Sequence, residues 1–160
     1  MDTVDKRRVR VGVISDTHGL LRPAVLPIFK GVEMIIHAGD IGSPEVLDSL
    51  RSVAPVIAVR GNNDTERWAK KIPETVIAKI AGASLYVLHD LKELSVKVAE
   101  IGFAAVISGH SHRPVIDERD GVLYVNPGSA GPRRFKLPIS VARLVIQNGK
   151  VQAELIHIPL

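Results

Sequence analysis

Seven side chains able to hold a cation through nitrogen or oxygen follow directly on apolar runs of this 160-residue chain: Asp16 and His18, Asp40, Asn62, His89, and His110 with His112. Taken singly, each has an ordinary explanation. An Asp or Asn after a strand commonly makes an Asx turn, and a lone His is usually exposed or a hydrogen-bonded core residue. Five such strand ends together are different. A parallel sheet delivers the C-termini of its strands to one edge, and several imidazoles and carboxylates gathered there are electrostatically costly unless a cation compensates them. Four of the six histidines lie at these positions. Seven ligands exceed what one tetrahedral or octahedral ion needs while keeping an open position, so two ions sharing a carboxylate fit better. Ions paired roughly 3.5–4 Å apart clamp the attacking and leaving oxygens of a phosphoryl group, which makes hydrolysis of a phosphate ester the leading chemistry.

The elements that must deliver these residues can be read from periodicity. Residues 8–15 form an apolar strand, 22–30 a short helix interrupted by Pro27 and stopped by Gly31, and 32–37 a second strand. Ser43 as N-cap and Pro44 at the first helical position open a helix whose face is Val46, Leu47, Leu50 and Val53. Residues 55–59 give a third strand. In the second half, 74–80 and 84–88 pair as a hairpin, 94–101 fits a helix, and 103–107 is a buried strand. Two further hairpins, 115–118 with 122–125 and 139–146 with 151–157, close the chain, the last about Asn148-Gly149. The class is α/β, with alternating helices and strands first and a β-rich meander after.

Composition narrows the alternatives. A hydrophobic content of 46% over 160 residues supports one core and one domain, residues 1–160, with residues 1–8 expected to be a flexible N-terminal segment. With no cysteine, thiolate metal sites and disulfides are excluded. No apolar run reaches the roughly 18 residues of a membrane span, so a cytoplasmic protein with no membrane partner is expected. The net charge of +4 and pI near 9.6 favour anionic ligands. Aromatic content of 4% offers few stacking surfaces, which ranks nucleic acid last among substrates. A homo-oligomer is compatible with the sequence.

The ordered blocks Ser15-Asp16-Thr17-His18-Gly19, His37-Ala38-Gly39-Asp40-Ile41, Arg60-Gly61-Asn62-Asn63-Asp64, Leu88-His89-Asp90, Ser108-Gly109-His110-Ser111-His112-Arg113-Pro114 and Asn126-Pro127-Gly128-Ser129 resemble the calcineurin-like metallophosphoesterase superfamily, in its small bacterial and archaeal phosphodiesterase branch. The resemblance spans about residues 9–157. It implies a four-layer α/β/β/α sandwich of two mixed β-sheets. It also implies that Asp16, His18 and His112 hold one divalent ion, that Asn62, His89 and His110 hold another, that Asp40 bridges them, and that the nucleophile is a water or hydroxide shared by both. The expected activity is therefore phosphodiester hydrolysis of a small phosphoester substrate, with an inactive interaction scaffold as the alternative, a path the same fold takes in a eukaryotic sorting-complex subunit. A nitrogen and oxygen donor set suits Mn²⁺, Fe²⁺, Ni²⁺, Co²⁺ or Zn²⁺, and the bridging carboxylate with an amide oxygen tilts the expectation to Mn²⁺.

Two departures from the family pattern stand out. Asn63 occupies the place where many relatives carry a histidine acting at the leaving group; it can donate a hydrogen bond but no proton. The block at His89 lacks a second histidine, and the segment that follows is short. Arg113, with Arg133 or Arg134, is a candidate for the substrate phosphate. Asn126 is expected to support the metal loops, Asp64 to cap a short helix near Thr65 rather than to orient Asn63, and His37 to be a hydrogen-bonded neighbour rather than a ligand.

Overall fold

Alternation along β1 (Val9–Ile14) sends Val11 and Val13 to one side and Gly12 and Ile14 to the other, so both faces of this strand must be covered. In the computed structural model, which describes residues 7–134 and 136–159, they are. Most of the segment expected to be flexible, residues 1–6, lies outside the described residues.

The first sheet is built around β1, with parallel β2 (Met34–His37) and β3 (Val56–Ala58) on one side. On the other side β9 (Ser140–Gln147) runs antiparallel, and β10 (Lys150–His157) forms the edge. The second sheet runs β4-β5-β6-β8-β7, from β4 (Thr75–Ile80) and β5 (Ala83–Leu88) through β6 (Ala105–Ile107) to β8 (Val122–Asn126) and β7 (Val115–Arg119). Its three inner strands are parallel, and β4 and β7 are antiparallel edges. Val11, Val13 and Ile36 of the first sheet meet Leu85, Val87 and Ile107 of the second in a common core between the sheets.

Helices cover the outer faces thinly. Against the first sheet lie α1 (Val25–Ile28) and α2 (Pro44–Arg51), burying Val25, Val46, Leu47 and Leu50 on Ile14 and Ile35. Phe29 fits there because Gly12 has no side chain; a Cβ at Gly12 would lie 2.9 Å from the ring. Against the second sheet, α3 (Val98–Ile101) contributes Val98 to a cluster with Tyr86, Phe103 and Val106. The layers thus follow the expected α/β/β/α order.

The helices are shorter than their apolar spacing predicts. Residues 22–30 hold only the single turn of α1, because Pro23 and Pro27 supply no N–H to extend it. Residues 94–101 are helical only from Val98: Leu94 and Val96, two apart, both pack on the outer cluster, a period that an extended chain meets and a helix does not. Among the described residues no helix is long and apolar enough to cross a membrane.

Candidate metal centre

The C-terminal ends of β1, β2, β3, β5 and β6 open on one side of the molecule, where their loops are laced together by backbone bonds. The Asp16 and His18 amides donate to the Gly39 and Asp40 carbonyls at 3.0 and 2.9 Å, and the Gly109 amide donates to the His89 carbonyl at 2.9 Å. The chain turns sharply at the candidate positions themselves. Asp16, His18, Asp40, His110 and His112 all have positive φ, between 47° and 71°. Among the described residues, the other positive-φ positions that are not glycine, Ala81, Asp120 and Asn148, sit in hairpin turns. Left-handed conformations at histidine are uncommon and persist only where the surroundings impose them.

Two groups of ligand atoms result. Asp16, His18 and His112 place one ligand atom each within 4.8 Å of one another, and Asp40, His89 and His110 do the same. The imidazoles pair along the same division, His18 stacked on His112 at 5.4 Å and His89 edge-on to His110 at 5.2 Å. Asp40 Oδ2 lies between the groups, 3.2 Å from His89 Nε2 and 3.9 Å from His18 Nε2. Six of the seven candidates converge in this way. Asn62 is exposed at the rim, where it lines a cavity of about 160 Å³ together with His89.

Two of the candidate ligands, Asp16 and His89, are oriented by partners on their far side. Asp16 Oδ2 accepts from the Ser15 hydroxyl at 2.7 Å and from the His110 amide at 3.1 Å, which turns Oδ1 toward His112 at 3.3 Å. His89 Nδ1 lies 2.8 Å from the Ala38 carbonyl; since a carbonyl only accepts, Nδ1 carries the proton and Nε2 faces the site with its lone pair. Asp16 Oδ1, His18 Nε2 and His89 Nε2 are buried and have no hydrogen-bond partner. Buried polar atoms are seldom left so, and a carboxylate oxygen converging with imidazole lone pairs is a donor set that a divalent cation satisfies.

Electrostatics are tuned by the same contacts. Burial opposes the charge of Asp16 and of Asp40. Neighbouring imidazoles outweigh it, with Ser15 helping at Asp16 and the Asn63 amide at Asp40, so both carboxyls fall below the usual range, Asp40 to about 2. Burial pushes His18 down, whereas at His89 the carboxylates of Asp40 and Asp16 overcome burial and raise it.

His37 stays out of the cluster. It is fully buried, with Nδ1 accepting the Gly39 amide at 3.1 Å, so Nε2–H donates to Thr17 Oγ1 at 3.0 Å and Thr17 donates in turn to the Ile41 carbonyl at 2.7 Å. Burial lowers its pKa to about 4. A group protonating near 6.5 when unfolded and near 4 when folded makes the unfolded chain the better proton acceptor. This contribution is intact above pH 6.5 and is lost as the pH falls toward 4, roughly 3 kcal/mol in all. Urea unfolding of metal-free protein against pH should show that slope, and His37→Gln should flatten it.

Around the cluster, Asp64 takes a place the sequence did not indicate, while Asn126 supports the loops as expected. Asp64 does not cap a helix: buried, it accepts Gly61 and Ile41 amides on Oδ2 at 2.9 and 3.1 Å and the Gly42 amide on Oδ1 at 3.1 Å, fastening the loop after β3 to that after β2. Gly61 and Gly109 leave room for the carboxylates; a Cβ would lie 2.1 Å from Asp40 Oδ1 at the first and 2.0 Å from Ser15 Oγ at the second. Asn63 donates its backbone amide to Asp40 Oδ1 at 2.9 Å and its side-chain amide to Oδ2 at 3.3 Å. Asn126 braces the histidine loop through the Gly109 carbonyl at 3.0 Å and Ser111 Oγ at 3.1 Å. Arg113 is exposed on that loop, its backbone amide on Ser111 Oγ.

Comparison with known proteins gives a consistent picture. Residues 9–149 match the model of the calcineurin-like phosphoesterase superfamily domain. A probable metallophosphoesterase of Methanocaldococcus jannaschii is 39% identical over 157 residues, which cover 92% of this chain and 81% of that protein. Among solved structures, one titled as a novel archaeal phosphodiesterase superposes with a TM-score of 0.74 at 26% identity, over 92% of this chain and all of that one. Vps29 of Entamoeba histolytica complexed with zinc superposes with a TM-score of 0.74 at 23% identity, over 93% and 99% of the two chains.

Proposed function

From the premise that the chain belongs to the calcineurin-like phosphoesterase superfamily, we propose that it hydrolyses small phosphodiesters with two divalent ions, Mn²⁺ foremost, held by Asp16, His18 and His112 on one side and Asn62, His89 and His110 on the other, with Asp40 common to both. The observation that carries this reading is Asp16 Oδ1, which is buried and unpaired while its twin oxygen is fixed by Ser15 and the His110 amide. When bound, such ions supply the positive charge that lowers the pKa of water and neutralises phosphate oxygens.

The protein's own part is to aim and to hold. The Ala38 carbonyl keeps His89 in the tautomer with a free Nε2, Ser15 keeps Asp16 facing inward, and Asn63 steadies Asp40. The side-chain amide of Asn63 has a second N–H beyond the one directed at Asp40, available to an oxygen of the substrate. That amide cannot give up a proton. A general acid contributes typically 10²–10⁴-fold, so the leaving oxygen departs unprotonated and esters of acidic alcohols are favoured. Methyl 4-nitrophenyl phosphate should be cleaved at least about 10²-fold faster than dimethyl phosphate. Comparable rates on the two would sink the role given to Asn63.

The decisive assay is hydrolysis of bis(4-nitrophenyl) phosphate by protein stripped with chelator and reloaded with Mn²⁺, with metal content measured per chain. Turnover that vanishes on stripping and returns on reloading is expected. Activity no greater than that of Asp40→Asn would replace this reading with that of an inactive scaffold.

A further inference from the structure

A cleft of about 470 Å³ opens beside His110 and runs along the outer face of the second sheet. Asp90 and Leu91 form one wall, Val115 and Arg119 the other, and Tyr124 lies between them. It adjoins the candidate metal centre directly: His110, whose ligand nitrogen groups with Asp40 and His89, lines its mouth, with Nε2 3.8 Å from Asp90 Oδ2. Volume and mixed lining suit a small organic ligand. One contact gives the cleft a particular chemistry. The Arg119 guanidinium lies 4.9 Å over the Tyr124 ring, anchored by Asp117 at 2.8 Å, so a planar cation and a phenol ring form one stack. Only 4% of the chain is aromatic, and Phe29, Phe103 and Tyr86 are buried in the outer cores. Tyr124 is left half-exposed next to the site. Planar guanidinium and aromatic faces together bind another π-system without demanding particular hydrogen bonds.

We propose that this cleft is a subsite for a planar aromatic group, aryl or nucleobase, carried by the phosphate ester on the arm that is retained rather than expelled. The assignment to the retained arm follows from Asn63, which stands on the loop after β3 and does not line the cleft. The inference rests on the phosphoesterase reading only in that phosphate must bind beside His110.

Non-hydrolysable ligands separate the two. Benzylphosphonate, methylphosphonate and the phosphonate analogue of adenosine 5′-monophosphate, with a methylene in place of the ester oxygen, are titrated calorimetrically into Mn²⁺-loaded wild type, Tyr124→Leu and Tyr124→Phe. Wild type should bind benzylphosphonate or the nucleotide about tenfold more tightly than methylphosphonate. Tyr124→Leu should bring that ratio close to one, and Tyr124→Phe, which keeps a ring for Arg119, should retain it. Which of the two aromatic ligands shows the preference tells aryl from nucleobase. If methylphosphonate binds but neither ring adds affinity, or if the preference survives in Tyr124→Leu, the subsite is overturned and the phosphoesterase reading stands. If none of the three ligands binds, both fall. The same ratio should appear in kcat/KM for bis(4-nitrophenyl) against methyl 4-nitrophenyl phosphate, which share a leaving group and differ in the retained arm.

Discussion

Asp40→Asn should lower phosphodiester hydrolysis on the order of 10³-fold and reduce bound metal from two ions per chain toward one. The substitution changes almost no volume, so its effect is one of charge and of which atom faces where. In the native site Oδ1 is committed to the Asn63 amide at 2.9 Å, and Oδ2 is directed between His89 Nε2 and His18 Nε2. An asparagine has one acceptor. If its oxygen stays on the Asn63 N–H, its NH₂ points into the centre, where a second ligand oxygen is required. If it flips, two N–H groups confront each other at Asn63 and a buried donor is left unpaired. Either way the negative charge that both ligand groups share is gone, and Asp16 is left as the one carboxylate among the candidate ligands facing two dications. The test is metal content by elemental analysis beside steady-state kinetics at saturating Mn²⁺. Two ions and native turnover in the variant would remove Asp40 from the bridging position.

How far the sequence disclosed this site depends on which residue is considered. Strand ends are legible because apolar runs of four to six residues stop abruptly at Asp, Asn or His, and a parallel arrangement brings those stops together. The order of the sheets was legible through the resemblance, and the hairpins through turn residues such as Asn148-Gly149. What periodicity could not show is conformation that depends on distant partners. His18, His110 and His112 adopt positive φ, a conformation that histidine tolerates better than most residues but that sequence alone does not assign to these three. Leu94 and Val96 carry the same apolar signal whether they lie on a helix or an extended segment, and the outer cluster decided for the latter. The cleft at Tyr124 was illegible for the same reason. Arg119 and Tyr124 are cross-strand neighbours, Arg119 opposite Val122, and only that pairing sets the guanidinium over the ring.

Asp64 is the clearest case, and it carries the second large effect: Asp64→Ala should destabilise metal-free protein by about 3–5 kcal/mol. A helix cap of this type is worth typically about 1 kcal/mol, and asparagine serves there as well as aspartate. The structure gives Asp64 a different task, because its two oxygens receive three backbone amides from two loops, Ile41 and Gly42 after β2 and Gly61 after β3. Removing the carboxylate strands the buried Ile41 and Gly61 amides, with the Gly42 amide at the exposed edge, and asparagine cannot replace it. With its oxygen facing Ile41 and Gly61 it must turn an NH₂ against the Gly42 N–H, so Asp64→Asn should still cost roughly 1–3 kcal/mol. The two roles therefore part at the asparagine variant: a cap predicts near-native stability, a fastening between loops predicts a loss. Urea midpoints of the two variants at one pH read the difference. The loops in question carry Asp40 and Asn62, so metal affinity should fall with stability although Asp64 touches no ligand atom, by the 10–100-fold typical of residues that orient metal ligands. A stable Asp64→Asn with native metal affinity would return Asp64 to the cap that its sequence position suggests.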